Sequence, residues 1–213
     1  MNCGCPRGAS LTTIPVSECP ESMGQVQKLI FQRIYKSGDE QNSIADPTKL
    51  ASWTPLLTAS DGTKAVITPF ISEPTAEPGE ARTYGGGNAT VGGVEIILGT
   101  NPTAFTAKIL RSPQDTIKAM KELMCEDVGV YLIDEHGNIG CVKNVDNSDD
   151  SPVTTYRPIP VQSVFVSDKG LGGFESPDSN NISFSFLPGW SDDFTIVVPA
   201  DFNPLRDLVA AGK

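Results

Sequence analysis

Frequent interruption of regular structure is the feature that most constrains the fold of this chain. Its 213 residues include 20 glycines and 17 prolines, so more than one residue in six disfavours a continuous helix or a central strand. A long-helix or coiled-coil protein is therefore excluded. Hydrophobic residues make up 38% of the chain, which is enough to form a core without disulfides or metals. The length fits one large domain or two small ones.

The acidic composition excludes two kinds of partner. The chain has 16 basic and 26 acidic residues, a net charge of −10 and an isoelectric point near 4.5. Such a chain lacks the positive surface that grips nucleic acid or an anionic membrane. No apolar run approaches the ~20 residues of a bilayer span, and the opening MNCGCPRGAS lacks the apolar stretch of a secretory signal. We therefore expect no membrane partner.

The excess acid lies in the second half of the chain. Residues 1–111 hold 9 basic and 10 acidic residues, whereas residues 112–213 hold 7 and 16. One interpretation is an ordinary solvated surface. The other is a single acidic face that repels phosphate or binds a basic partner.

Short apolar segments between turn residues predict seven to nine strands. The segments are 25–36, 64–71, 94–98, 104–110, 128–133, 139–143, 161–166, 182–186 and 194–198. The first also fits a short helix, but its β-branched and aromatic residues favour a strand. In 182–186, Ile182, Phe184 and Phe186 alternate with Ser183 and Ser185, so one face is apolar and the other polar. The predicted fold class is mainly β: an antiparallel β-sandwich or open barrel with one packed α-helix.

That helix is predicted over 112–126, SPQDTIKAMKELMCE. Ser112 is the expected N-cap, with Pro113 at the first helical position and Asp115 in the first turn. The apolar stripe that would face the sheet comprises Ile117, Met120, Met124 and either Leu123 or Cys125. Cys125 and Cys141 are expected to be small core residues.

Turn residues predict the connections. Asp61-Gly62 is expected to join segments 56–60 and 64–71 as a hairpin, and residues 134–138 to join the strands on either side of them. Residues 49–53 fit one helical turn. Residues 201–211 fit a short closing helix with Asp201 as its cap.

The chain divides into an irregular N-terminal arm, residues 1–24, and a single β-sandwich domain, residues 25–213. Residues 72–93 are poor in apolar side chains and rich in glycine and proline. They are predicted to form a long loop, because ordinary connections have a median of about 4–6 residues. A loop of this length is typically functional or becomes ordered on a partner.

No motif predicts a catalytic, cofactor-binding or metal site. Gly85-Gly86-Gly87 does not complete a nucleotide-binding pattern. Residues 146–150, DNSDD, are not followed by the glycine and glutamate of a calcium loop. The single histidine, His136, lies in a turn, and the adjacent Asp192 and Asp193 point to opposite faces of a strand.

Three cysteines in the N-terminal arm leave several possibilities open. Cys3, Cys5 and Cys19 are most simply free thiols, because no signal places the chain in an oxidising compartment. A disulfide and a zinc site are the alternatives. The Cys-Gly-Cys spacing is tighter than the usual zinc pairs.

Three sequence segments resemble a known family: RTYGGGN at 82–88, PQDTIKAMKEL at 113–123 and PGWSDD at 188–193. Together with the order of strands, Gly-rich segment, strands, helix, hairpin and terminal strands, they resemble the tail tube (major tail) proteins of long-tailed bacteriophages. They are also similar to the Hcp-like tube proteins of contractile injection machines. The particular phrases resemble virion proteins of phages and prophages from Bacteroides-type hosts. The likeness spans residues 24–208 and leaves out the Cys-containing arm.

The resemblance implies a structural protein of the virion tail, assembled in the host cytoplasm, with no enzymatic activity. Such proteins form six-membered rings that stack into a tube, through which viral DNA passes without specific binding. Tape-measure and tail-terminator proteins are the implied partners. A long loop bridges stacked rings, and 72–93 is the implied bridge. Ser183 and Ser185 would lie on a polar wall.

Other functions are carried as alternatives. The first is a head-decoration or head–tail joining protein of the virion. The second is an extracellular carbohydrate-binding β-sandwich module, which predicts a monomer with exposed aromatic residues near a groove. Trp53, Tyr84, Tyr156 and Trp190 are the candidates for that role. An enzyme of unrecognised type is the last.

Overall fold

The computed structural model describes residues 13–16, 22–146 and 152–209. Fourteen strands and three helices lie within them. The strands are β1 (Val26–Arg33), β2 (Tyr35–Ser37), β3 (Glu40–Gln41), β4 (Ala65–Ile67), β5 (Ser72–Glu77), β6 (Ala81–Gly85), β7 (Glu95–Thr100), β8 (Thr103–Leu110), β9 (Val128–Asp134), β10 (Ile139–Asp146), β11 (Val153–Arg157), β12 (Ile159–Val166), β13 (Ser179–Phe186) and β14 (Phe194–Val197). The helices are α1 (Leu50–Thr58), α2 (Gln114–Glu122) and α3 (Pro204–Asp207).

Most strands belong to one antiparallel sheet that closes on itself. β1 pairs with β9, β9 with β12, β12 with β13, β13 with β8 and β8 with β5. β5 continues directly from β4, which pairs with β1. The N–H groups of Thr68 and Ile71 extend that pairing by donating to the carbonyls of Leu29 and Gln27. These pairings form a barrel that is closed except along the second edge of β4, with which no described strand pairs. Closure removes most of the open edges that a flat sheet would expose.

The barrel interior is filled by stacked aromatic rings. Phe105 and Phe184 stack with centroids 4.6 Å apart. Phe31 meets Phe184 edge-on at 5.9 Å, and Phe186 meets it at 5.3 Å. All four rings are at most 2% exposed. The alternation predicted for 182–186 is therefore confirmed: the apolar side chains point into the core and the serines point outward.

A second core lies on the other face of β1 and β9, beneath α1, β10 and β14. Trp53 of α1 is fully buried there and contacts Tyr131 of β9 edge-on at 5.0 Å. The Tyr131 hydroxyl donates to Gln32 Oε1, whose amide donates to the Thr63 carbonyl, so the buried polar atoms have partners. All seven residues of β9 are buried because this strand faces both cores.

One bent segment joins the barrel to the second core. β11 pairs with β10, and after Pro158 the chain continues as β12, which pairs with β9. Proline suits this bend because it has no N–H to contribute to a ladder. The chain passes closely over Gly129, where a Cβ would lie 2.8 Å from the Pro158 ring. Gly129 is therefore required by a close approach.

The mainly β fold class is confirmed, as is the hairpin of β9 and β10 across the 134–138 turn. The helix expected over 112–126 differs in two respects. α2 begins only at Gln114, and the expected cap Ser112 has a buried hydroxyl without a hydrogen-bond partner. A 3₁₀ turn follows the helix, so Cys125 and Met124 are exposed, whereas Leu123 packs against the barrel core.

One turn prediction and one helix-cap prediction are wrong. Residues 56–58 belong to α1, so Asp61-Gly62 joins a helix to β4 and not two strands of a hairpin. Asp61 Oδ1 instead accepts from the N–H and hydroxyl of Thr63. Asp201 does not cap α3, because Asn203 does so. The carboxylate of Asp201 instead accepts from the N–H of Leu50 at the start of α1.

The buried carboxylate of Asp134 organises the turn after β9. Its Oδ1 accepts from the N–H groups of His136 and Asn138, at 2.9 and 2.8 Å. Its Oδ2 accepts from the Asn138 amide at 2.8 Å and from the N–H of Gly24 at 3.1 Å. Burial by itself raises the pKa of Asp134, but the hydrogen bonds from Asn138, Gly24 and His136 outweigh it and hold the pKa below its usual range.

We predict that Phe184→Ala lowers the free energy of unfolding by ~3–5 kcal/mol, because it empties the centre of the aromatic stack. The matched control is the neighbouring Ser183→Ala, which faces outward and should change it by less than ~0.5 kcal/mol. Urea unfolding measures both. Equal losses for the two variants would contradict the alternation of β13.

We predict that Asp134→Asn lowers the free energy of unfolding near neutral pH by ~1–3 kcal/mol, because an amide nitrogen then faces N–H donors. Since folding lowers the pKa of Asp134, its stabilisation is present above the unfolded value of ~3.9 and is lost as the pH falls through the folded pKa. The gap between wild type and variant should therefore close on acidification in urea titrations from neutral to acidic pH. Asp39→Asn, on an exposed turn, is the control for the change in net charge. A gap that stayed constant with pH would contradict the assignment.

Candidate functional site

Residues 72–110 form one long β-hairpin, of which only the base belongs to the barrel. β5 and β8 pair with each other at the base, and β8 also pairs with β13. Further out, β6 pairs with β7 as a separate two-stranded sheet. We call residues 81–100 the distal arm. Among the described residues no other strand pairs with either of its edges.

The distal arm is apolar and exposed at the same time. Ile97 is 71% exposed, and Ile96, Leu98 and Tyr84 are more than half exposed. Val91, near the tip, has no cover at all. A two-stranded hairpin in water is marginally stable by itself, and contiguous exposed apolar side chains mark interaction sites. The arm is therefore the strongest candidate for a surface that binds another protein chain.

The tip of the arm is ordered by the hydroxyl of Thr90. It accepts from the N–H of Gly86 at 3.1 Å and donates to the carbonyl of Val94 at 2.6 Å. Gly85 and Gly86 have φ values of +90° and +98°, a conformation that side chains disfavour. The glycine cluster thus shapes this turn.

A close backbone contact joins the arm to the barrel. A Cβ at Gly79 would lie 1.9 Å from the carbonyl oxygen of Asn101. The N–H of Asn101 donates to the Glu80 carbonyl at 2.9 Å, and the N–H of Gly79 donates to the Thr103 hydroxyl at 3.3 Å. The direction in which the arm leaves the barrel is therefore set by backbone contacts.

The outer face of β5, β8 and β13 is mostly polar, and we call it the outer polar face. The Thr75 and Thr106 hydroxyls lie 2.7 Å apart, and Thr106 is opposite Ser183. Glu73 forms an ion pair with Lys108 at 2.6 Å. The side chains of the face are Glu73, Thr75, Glu77, Ala104, Thr106, Lys108, Asn181, Ser183 and Ser185. With the two carboxylates of Glu73 and Glu77 and the one ammonium of Lys108, the face is slightly negative.

The structure corrects the prediction of a loop over 72–93. That segment contains β5 and β6, whose partners β7 and β8 lie later in the chain. The strand predicted over 94–98 is present as β7, but it lies in the exposed arm and not in a core. The sequence signal for this was available: an apolar run directly follows a glycine-rich turn, as in a hairpin.

The four aromatic residues considered for carbohydrate binding do not share a surface. Trp53 is fully buried in the second core. Trp190 is half-buried between Phe186, with which it stacks at 4.5 Å, and Phe194. Tyr84 is exposed on the distal arm, whereas Tyr156 is half-buried in β11. These four residues thus form no shared aromatic surface.

Residues considered for catalysis or metal binding are scattered or lie outside the described residues. His136 is exposed in the turn after β9, with its Nε2 3.6 Å from Glu135 Oε1. Burial raises the pKa of the Cys141 thiol to about 12, so it is protonated at neutral pH. In the described ranges no three His, Cys, Asp or Glu side chains gather as a metal site. Cys3, Cys5, Cys19 and most of 146–150 lie outside the description.

None of the helices described is long and apolar enough to cross a membrane.

Comparisons with known proteins identify no family. No family model matches the chain, and no curated protein matches it. Among solved structures, the chain is similar to one from the tail of an empty GTA (gene transfer agent) particle, determined by helical refinement with C6 symmetry. The match has 12% identity and a TM-score of 0.31, and it covers 61% of this chain and 82% of the other. It assigns neither family nor activity.

We predict that Thr90→Val loosens the tip of the distal arm and leaves the barrel unchanged. Losing both hydrogen bonds of the hydroxyl should speed amide exchange of Gly86 by about fivefold to tenfold, measured by hydrogen–deuterium exchange. The urea midpoint should stay at the wild-type value because the arm lies outside both cores. Thr100→Val, exposed at the end of β7, is the control. A fall in the midpoint for Thr90→Val alone would contradict the independence of arm and barrel.

Proposed function

We propose that this protein is a structural component of a phage-like tail that assembles with copies of itself into stacked, six-membered rings. The observation that carries the proposal is the distal arm: a paired, apolar hairpin that is exposed along its whole length. Its side chains stay solvated in a lone subunit, and burying them against a neighbour stabilises the assembly by ~25 cal/mol per Å² of apolar surface. The arm is the bridge between rings.

The resemblance of the sequence to tail tube proteins supports the same function. In that family a long segment between strands reaches the next ring, and here the hairpin occupies the corresponding place in the order of elements. The barrel supplies the rigid body to which the arm is attached. A heterologous contact of this kind, arm of one copy to body of the next, propagates into a stack.

The outer polar face is the surface we assign to the wall of the channel. Four of its side chains are short hydroxyls, Thr75, Thr106, Ser183 and Ser185, and its few charges leave it slightly negative. Such a wall repels phosphate and offers no cluster of cations to hold DNA. DNA would then pass without specific binding, which fits the net charge of −10.

The location and partners follow from the same proposal. The protein would belong to the tail of the virion after assembly in the host cytoplasm. Tape-measure and tail-terminator proteins would contact the inside and the end of the tube. A head-decoration or joining protein would also use an exposed arm, but it would cap the head and would not form tubes by itself.

We predict that replacing residues 81–100 by a two-residue Asn-Gly turn leaves a folded monomer and abolishes rings and tubes. The barrel should persist because β5 and β8 still pair and an Asn-Gly turn closes a hairpin. Negative-stain electron microscopy and light scattering measure assembly, and urea unfolding measures the fold. Wild-type protein that stays monomeric at high concentration, or an armless variant that still forms tubes, would refute the proposal.

A point variant gives the matched control for this deletion. Ile97→Asp places a charge on the arm and should weaken assembly by at least about tenfold in the concentration required. Val198→Asp makes a comparable change at a residue of similar exposure outside the arm, 68% against 71%. It should assemble like wild type.

A further inference from the structure

A groove of about 810 Å³ lies where α2 faces β4. Phe31 and Val128 of the barrel lie in it, Ile67 and Pro69 line the β4 side, and Met120 and Leu123 line the α2 side. Arg33 and Glu126 form a doubly hydrogen-bonded ion pair within its lining. The charges of that pair are matched, and about half of the remaining lining residues are apolar.

On the β4 side of the groove lies a strand edge that is accessible at the half-buried Ile67, whereas Ala65 packs in the second core. The N–H of Thr68 donates to the Leu29 carbonyl, so Thr68 and Val66 direct their backbone groups toward β1. In an antiparallel ladder the intervening residues point the other way. The N–H and C=O groups of Ala65 and Ile67 therefore face away from β1, and no strand in the described ranges pairs with them.

We propose that this groove is the acceptor for the distal arm of a second copy, with β7 added beside β4 as an extra strand. The inference rests on the proposed function and names the surface that the arm binds. An exposed strand edge and an apolar groove are the two elements of recognition by strand addition. The arm supplies both matching parts, an unpaired edge along β7 and the exposed apolar side chain of Ile97. The neighbouring Ile96 points to the other face of the arm.

The charges of the two surfaces are complementary. The groove has Lys64 on the β4 side and Glu122 on the α2 side. The arm has Glu95 on β7 and Arg82 on β6. Within the described part of the chain none of these four forms an ion pair. With β7 parallel to β4, Glu95 lies opposite Lys64 and Ile97 opposite Val66, while β6 with Arg82 faces α2.

No residue of the distal arm lines the groove of its own chain, so an arm that docks in this groove comes from a second copy. The contact joins two different surfaces, arm to groove, so each subunit keeps one of each available. Copies can therefore be added without limit along one direction. This is the geometry that a stack of rings requires.

Disulfide cross-linking between two full-length variants tests the docking. Val66→Cys and Ile97→Cys are each introduced into a protein in which Cys3, Cys5, Cys19 and Cys125 are serine and the buried Cys141 is retained. Opposed residues on neighbouring strands have Cβ atoms about 4.5–5.5 Å apart, close to disulfide range. Mixing the two under mild oxidation should give a covalent heterodimer, identified by mass spectrometry of the joined peptides.

The control mixes the Val66→Cys protein with a Val198→Cys protein of similar exposure. We expect at least about tenfold more heterodimer with the arm thiol than with this control. Equal yields, or a covalent product of the arm at another site, would overturn the inference. Ring formation by wild-type protein is scored separately by electron microscopy, so a failure of the groove assignment is distinguishable from a failure of the proposed function.

A charge exchange tests the same contact without cysteines. Lys64→Glu and Glu95→Lys should each raise the concentration required for assembly about tenfold, and the double variant should restore it. Single variants that assemble like wild type would contradict the pairing of β7 with β4. Urea unfolding of each variant confirms that the barrel is intact.

Discussion

The pairing of β1 with β9 is the interaction on which the rest of the structure depends. Both strands are buried on two faces: Leu29 and Phe31 point into the barrel, whereas Ile30 points into the second core. Backbone groups at such depth must pair with each other because water cannot reach them. The ladder therefore fixes the relative position of two separate sets of packed side chains. Disrupting this ladder would therefore disturb the packing of both cores, because both strands contribute side chains to each of them.

Folding stability and binding to other chains place opposite demands on a surface, and in this protein the barrel and the distal arm meet them separately. Apart from the second edge of β4, the described strands of the barrel satisfy their backbone groups by pairing with each other. The distal arm keeps its edges open and its apolar side chains solvated, which is unfavourable for a monomer and favourable for an assembly. Neither core contains a residue of the distal arm, so we expect changes in the arm's sequence to leave the stability of the barrel largely unaffected.

The sequence predicts those parts of the fold that local patterns determine. Alternation identifies β13, and the turn after β9 is marked by its own residues. Local patterns do not show 72–93 as part of a hairpin because β5 and β6 lack a clear apolar alternation and their partners β8 and β7 lie ten or more residues later in the chain. The exposure of Cys125 was missed because the helix ends at Glu122 and a 3₁₀ turn shifts the phase of the stripe. The two-sided burial of β9 depends on which elements cover it, which no local window contains.

The close contact between Gly79 and the Asn101 carbonyl lies at the base of the distal arm, so a small rotation there moves the tip of the arm by a larger distance. Strands of this length extend about 20 Å at ~3.3 Å per residue. A rotation of about 15° at this contact would displace the tip by about 5 Å, one interstrand spacing. A methyl group at residue 79 would therefore change the direction of the whole distal arm. It would do so without altering any side chain of the arm itself. The direction of the distal arm therefore depends on the absence of a Cβ atom at Gly79.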